Sequence, residues 1–502
     1  MNQKKIGVVL SYGQIVVTIL SNLLYTPIML NLLGAAEYGV YSLSSSIIGY
    51  FYILYTGMTS TYMRFYSRYK GNNEYENIGR LNGLFLVIFS VLGIIIFCIG
   101  ILLSQNLTLV LGQGLTDNEI ELAEILFLIM SVNMAVLMPK TVFATIVFSQ
   151  ERFIFIKTLG IVTAIASPLI NLPLLYMGYG SIGMSYVALL ITLLDLIVNI
   201  YYCCQKIHCR FSVKSLPFFL LPEMAWFSIF ILLNGVINLF LWSFGKILLS
   251  YVADSKAIAI YSVGVNINTL YLSLSNVFCG VATPQIYKLV QEKKVNELTD
   301  LWIKLGRCQF YIMFLVWCAF LLWGREFIYL WAGPEYDEAY FIALIFITPL
   351  VIYLCQNTGI EVLRAYNKHR QWVIIHFISA VLGFGISIPL SHLYAGIGVA
   401  VGTSINTFIV LTFYDNWYFY KVGKLGIFKF FKDFMKFLPA ASIVLAVGGF
   451  ISYSFPVNSW LGFSLIIMIF TILYSVVMYM LAMNNYEKTQ VRKAFNFLFR
   501  LA

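Results

Sequence analysis

Apolar runs of membrane-crossing length follow one another along this chain, and its basic residues fall in every second gap between them. A helix needs about 20 mostly apolar residues to cross a bilayer core. Inside the bilayer each backbone polar group must be satisfied within the segment, so an unbroken apolar run of that length takes helical form. The runs lie near 7–33, 38–63, 81–104, 119–148, 155–177, 182–204, 224–250, 257–283, 307–324, 339–362, 371–392, 397–420, 436–454 and 459–482. They predict an all-α polytopic membrane protein of about 14 helices. Of the 32 Lys and Arg residues, 28 share one side, among them Arg64, Arg68, Lys70, Lys206, Arg210, Lys304 and Arg307. The opposite gaps hold only Lys256 and Arg325, and carry Glu37, Asp117, Glu119, Asp254, Asp337 and Glu338. Basic residues in short loops stay on the cytoplasmic side. Both termini are therefore expected in the cytoplasm, with an even number of spans between.

Only 11% of residues are charged, against roughly 25% in a soluble domain, and no stretch has room for one. The net charge of +10 follows from the one-sided loops and their attraction to anionic headgroups; nucleic acid is not an expected partner. Lys4 and Lys5 precede an apolar run too long for a signal peptide, which reads as an uncleaved first span. The eight cysteines lie in apolar spans or on the basic side, where a disulfide framework is not expected. Cys203, Cys204, His208 and Cys209 fit no zinc spacing, so neither metal nor cofactor is expected.

The first half of the chain recurs in the second. At an offset of 219 residues, Leu102, Leu103, Gly114, Glu119 and Phe127 meet Leu321, Leu322, Gly333, Glu338 and Phe346. Ala36 through Ser42 meets Lys256 through Ser262, which ends Ile260-Tyr261-Ser262. Gly180-Ser181-Ile182-Gly183 opens the sixth span and Ala395-Gly396-Ile397-Gly398 the twelfth. Six spans thus repeat as six in the same orientation, which implies a pseudo-two-fold axis along the membrane normal. The expected organisation is a six-helix bundle at 1–212, its repeat at 213–432, and two further helices with a tail at 433–502, the bundles forming a V.

Three segments carry a family resemblance. Leu32-Leu33-Gly34-Ala35-Ala36-Glu37-Tyr38-Gly39-Val40-Tyr41-Ser42 resembles the first external loop of bacterial polysaccharide flippases. Phe148-Ser149-Gln150-Glu151-Arg152-Phe153 resembles their fourth-helix exit, and Tyr179-Gly180-Ser181-Ile182-Gly183-Met184-Ser185 the start of their sixth helix. The group is the oligosaccharide flippase branch of the multidrug/oligosaccharidyl-lipid/polysaccharide exporter superfamily. The resemblance implies transfer of undecaprenyl-diphosphate-linked oligosaccharide across the bacterial inner membrane for O-antigen, capsule or exopolysaccharide. It also implies a polysaccharide polymerase and a chain-length regulator as partners. A peptidoglycan-precursor flippase and a drug/cation antiporter of the same superfamily are the alternatives.

Such cargo needs a hydrated cavity with cations for the diphosphate and polar or aromatic groups for sugar. Lys246, in the seventh span, is the leading candidate. A charge at a helix centre costs about 2.5–3.5 kcal/mol on insertion scales and usually faces a cavity. The alternative is snorkelling to the outer interface. Lys140, after Pro139 in the fourth span, reads as a vestibule residue or one half of an ion pair. Arg64, ending the second span, reads as a phosphate contact or a basic-side anchor. Asp195 and Asp415 occupy comparable places in the sixth and twelfth spans, as ion-coupling residues or structural partners of lysine. Trp242, Tyr25 and Tyr271 are candidates for stacking on sugar, and Pro27, Pro139 and Pro349 for bends. The four histidines form no motif with carboxylates and there is no nucleotide-binding loop, so an enzyme is not expected and no catalytic residue is assigned.

Overall fold

The computed structural model describes residues 3–107, 111, 114–212, 214 and 216–492. Lys493 and Arg500, and the side chains of Lys4, Lys5 and Trp242, lie outside the described set. Among the described residues every element is helical. In order they are α1 (Gln3–Gly49), α2 (Tyr52–Gly71), α3 (Tyr75–Gln105), α4 (Asp117–Ser149), α5 (Phe153–Tyr176), α6 (Gly180–Tyr201), α7 (Leu221–Trp242), α8 (Phe244–Val252) and α9 (Ser255–Gln291). They continue with α10 (Val295–Trp331), α11 (Ala339–Gln356), α12 (Thr358–Ala365), α13 (His369–Ile409), α14 (Asn416–Lys421), α15 (Ile427–Phe434), α16 (Leu438–Ser454) and α17 (Trp460–Val477).

Eleven runs among the described residues are long and apolar enough to cross a membrane. Two of them contain a break in helical geometry, at Gly34 in α1 and at Tyr394–Ala395 in α13. The pair α7 and α8 lies beyond those eleven. Dividing the two broken runs and adding that pair traces the fourteen-helix path that the apolar runs predict.

Gly34 turns at φ 72°, a region that glycine enters without steric penalty. The residues that open the sixth and twelfth spans both have positive φ, 55° at Gly180 and 44° at Ala395. The candidate bends behave differently. Pro27, Pro139 and Pro349 each lie inside a continuous helix, because neighbouring helices and local adjustment re-satisfy the backbone groups that a membrane proline frees. The helical ladder is interrupted instead at Tyr50–Phe51, Ser243 and Asn357.

Backbone proximity groups the chain into two units, residues 1–263 with 373–403, and residues 264–372 with 404–502. In the first unit α3 packs along α4, α1 along α5, and α4 along α6. Small residues permit the tightest of these contacts. A methyl group on Gly93 would stand 2.6 Å from the Ala135 carbonyl, and one on Gly100 would stand 1.9 Å from the Ser131 hydroxyl. In hydrocarbon, where apolar burial gives no drive between helices, such close approach supplies the packing. The Glu37 carboxylate accepts from the Ser181 N–H at 2.5 Å and its hydroxyl at 2.7 Å, at the α6 N-terminus, where the helix dipole favours an anion.

In the second unit α10 packs along α11. Arg307, 3% exposed, binds the end of the chain to this unit. Its guanidinium donates to Glu487 at 2.7 and 2.9 Å, to Asp433 at 3.1 Å and to the Ala482 carbonyl at 2.8 Å. Trp302, Phe310, Phe430, Phe434 and Phe437 stack beside it, with Phe430 and Phe434 centroids 4.0 Å apart.

Candidate functional site

Lys246 stands on α8, the short helix that restarts after the ladder is interrupted at Ser243. It lies six residues before Val252, about 9 Å from that end at 1.5 Å per residue. Its ammonium donates to the Ser42 hydroxyl at 2.8 Å, and Ser42 donates to the Ser262 hydroxyl at 2.8 Å. The Ser262 hydroxyl in turn donates to the Ile258 carbonyl at 2.6 Å. Both serines are buried. No carboxylate partners Lys246 among the described residues. Behind it, Gly245 backs onto Tyr261 and Val399: an added methyl group would stand 2.3 Å from the tyrosine hydroxyl. Phe244, one residue earlier, meets Phe384 at 4.4 Å between centroids.

Ser42 and Ser262 are counterparts, 220 residues apart, in the repeated segments. Side chains that bond to their own counterparts are the kind of contact found at the centre of a two-fold interface. Two further contacts draw the acidic ends of this unit together there. A methyl group on Gly39 would meet the Ser255 carbonyl at 2.0 Å. Ser255 donates to the Glu119 carboxylate, which also accepts from the N–H and hydroxyl of Thr116 at 2.8 and 2.9 Å. At the same offset Lys246 falls on Thr26, so the charge belongs to one repeat only.

The other cations have charged partners. Lys140, on α4, forms an ion pair with Asp195 on α6, with side-chain exposures of 21% and 13%. Asn199 holds that carboxylate from one turn away at 3.1 Å. Lys140 is nine residues from the basic end of α4, about 13 Å along the axis. Arg64, on α2, pairs with Glu223 on α7 at 3.3 Å, and both are about half exposed. Asp415 is fully buried in the turn Val410–Asp415 that continues α13, in the second unit. At the offset of 220 that sets Asp195 opposite Asp415, Lys140 falls on Ile360. The second repeat therefore keeps the acid and lacks the matching lysine. Tyr271 is 2% exposed and donates to the Met313 carbonyl at 3.1 Å, a packing contact.

The structure thus gives Lys246, Lys140 and Arg64 three separate sets of partners. Ser42 and Ser262 had one sequence signal, the place where the repeated segments end in Tyr-Ser. Serine inside an apolar helix is otherwise unremarked, because its hydroxyl can bond back to the preceding turn.

Comparison with known proteins bears on this arrangement. The family described as "Polysaccharide biosynthesis protein" matches residues 4–290. The fold resembles that of a lipid II flippase, MurJ, in an inward closed conformation, with TM-score 0.73 and 15% identity over 95% of this chain and 98% of that one. It also resembles an inward-facing multidrug resistance MATE family transporter of the MOP superfamily, with TM-score 0.67 and 15% identity over 83% of this chain and 96% of that one. A search of the curated proteins finds no match. Matched over more than half of its length and sharing the all-helical transporter fold, this multi-pass chain belongs to the polysaccharide biosynthesis protein family.

Proposed function

We propose that this protein moves undecaprenyl-diphosphate-linked oligosaccharide from the inner to the outer leaflet of the bacterial cytoplasmic membrane, for O-antigen, capsule or exopolysaccharide assembly. The observation that carries the reading is Lys246, a membrane cation whose acceptor among the described residues is the neutral Ser42 hydroxyl, itself bonded to Ser262. A structural lysine in hydrocarbon is ordinarily neutralised, as Lys140 is. A cation left with neutral acceptors retains its charge for an anion, and the diphosphate is the anion this cargo carries.

Arg64 receives the diphosphate at the cytoplasmic mouth by exchanging exposed Glu223 for it. Asp195 and Asp415 are the coupling carboxylates. A coupling cation that competes for Asp195 releases its partner Lys140 to the cargo. Cargo at Lys246 displaces Ser42 and so weakens the bond to Ser262, favouring the outward-open state by differential binding. The repeats at 1–212 and 213–432 alternate about their shared axis, and 433–502 is an added element. Both termini stay in the cytoplasm, and a polymerase and a chain-length regulator act on the product outside.

The test is deletion of the gene followed by complementation. Wild-type protein restores surface polymer. Lys246→Met, expressed at equal level, leaves lipid-linked oligosaccharide accumulated on the inner leaflet. Normal polymer from Lys246→Met would overturn the reading. The coverage of a lipid II flippase, 95% of this chain at TM-score 0.73, favours a peptidoglycan precursor as the second reading, with the same diphosphate chemistry. Rescue of a strain depleted of its lipid II flippase would select it.

A further inference from the structure

We propose that the basic end of the first unit holds a second, separate anion site, a pocket for a phosphate-bearing polar headgroup. A cavity of about 500 Å³ opens between the ends of α2, α3 and α4 and the segment that follows α6. That is the size of a small-ligand pocket. The far wall is fixed to α3. The Asn82 amide donates to the Arg210 carbonyl at 2.9 Å, and the Ser212 N–H donates to the Gly79 carbonyl at 3.0 Å. Asn82 in turn accepts from the Tyr62 hydroxyl at 2.7 Å. Tyr62 and Tyr66, both buried, stack at 5.8 Å to form the floor.

The lining chemistry selects for an anion. Lys70, His208 and Arg210 line the cavity, and among the described residues no Asp or Glu does. The Lys70 ammonium lies 5.4 Å from the Tyr66 ring centroid. Neither Lys70 nor Arg210 has a carboxylate partner among the described residues, while Arg64, Arg80 and Arg364 on the same basic side all do. Two cations beside one cavity, with the Gln150 amide as a further donor and the Tyr75 ring at the rim, suit a phosphate ester, since Arg offers a planar pair of donors to phosphate oxygens. The tyrosine faces suit the small polar body attached to it. The site lies among helix ends on the side rich in basic residues, and its lining includes none of Lys246, Lys140 and Arg64. It holds whether or not the proposed cargo is correct.

The ligand is a phosphate ester drawn from an anionic membrane lipid or from solution, and two arms separate these sources. Full-length protein in nanodiscs of phosphatidylcholine receives a graded fraction of phosphatidylglycerol, and retained lipid is counted by native mass spectrometry. In parallel, glycerol 3-phosphate is titrated calorimetrically. The expected result is saturable binding of one equivalent in one arm, weakened at least tenfold in Lys70→Gln/Arg210→Gln. Binding in the lipid arm assigns the lipid, and binding in the soluble arm assigns a free ester. Should that double variant fail to fold, Tyr75→Ala, at a ring 66% exposed, is used in its place, with the same loss expected. Equal binding by wild type and variant, or saturable binding in neither arm, overturns the site.

Discussion

The Lys140–Asp195 pair permits a test in which stability and transport part company. The two side chains are 21% and 13% exposed, so most of their solvation is lost on folding. Removing one partner of a buried pair leaves the other charge uncompensated and costs about 3–5 kcal/mol. The residual exposure of Lys140 places Asp195→Ala at the lower end, about 3 kcal/mol, which is roughly a 150-fold change in the folded-to-unfolded ratio at about 1.4 kcal/mol per tenfold. Removing both charges is close to neutral, since the desolvation penalty leaves together with the attraction. Lys140→Ala, Asp195→Ala and the double variant, each unfolded reversibly in mixed micelles, form a double-mutant cycle. The double variant should recover most of the loss shown by either single variant. Its transport, read as surface polymer, should still be absent, because Lys140 is also gone from the path proposed above for the cargo. Single variants that each cost under about 1 kcal/mol, or a double variant equal to their sum, would refute the pairing argument. A double variant with normal polymer would remove Lys140 and Asp195 from the mechanism.

Three further outcomes follow from the geometry. Ser42→Ala should lower stability by about 1.5–3 kcal/mol, the scale of a hydrogen bond to a charged group, and Ser262→Ala by about 0.5–1.5 kcal/mol; equal losses in thermal melting would contradict the order Lys246–Ser42–Ser262. Ala395→Gly should stabilise by about 1 kcal/mol, because φ 44° penalises a Cβ, whereas Gly180→Ala should destabilise, because its methyl group would stand 2.3 Å from the Glu37 carboxylate. Arg307→Ala should free the segment after Ala482 to trypsin. Burial works to raise the Glu487 carboxyl, and the Arg307 guanidinium with the Asn484 N–H outweighs it, holding the group below its ordinary 4.5. Protection in the wild type is therefore complete above that value and is lost as pH falls through the lowered one; loss that begins above pH 5 would show that Glu487 is not the attachment.

The helix path was legible in the sequence because two independent signals converge on it, the lengths of the apolar runs and the side chosen by basic residues. The expectation of a duplication rests on motifs at loop positions; two of the aligned residues, Gly180 and Ala395, both have positive φ, a backbone requirement that restricts sequence more than apolar packing does. Lys246 and Lys140 stood out because each is an isolated charge in hydrocarbon. Their environments did not. Asp195 reaches Lys140 from another span, and nothing in spacing alone separates that pair from an ion-coupling acid. Interruption at Ser243 rather than at the prolines was also hidden, since a proline inside a bundle can be absorbed by its neighbours.

The bond between Ser42 and Ser262 has a further consequence. In a half-length chain that paired with its own copy, one codon would specify both partners of such a bond, and any change would alter both at once. Under the duplication read from the sequence, fusion of the two copies ends that constraint. Each copy then drifts alone, and an unmatched cation opposite a threonine counterpart becomes attainable, as at Lys246 and Thr26. An opening that a symmetric pair must line identically on both sides thereby gains a direction.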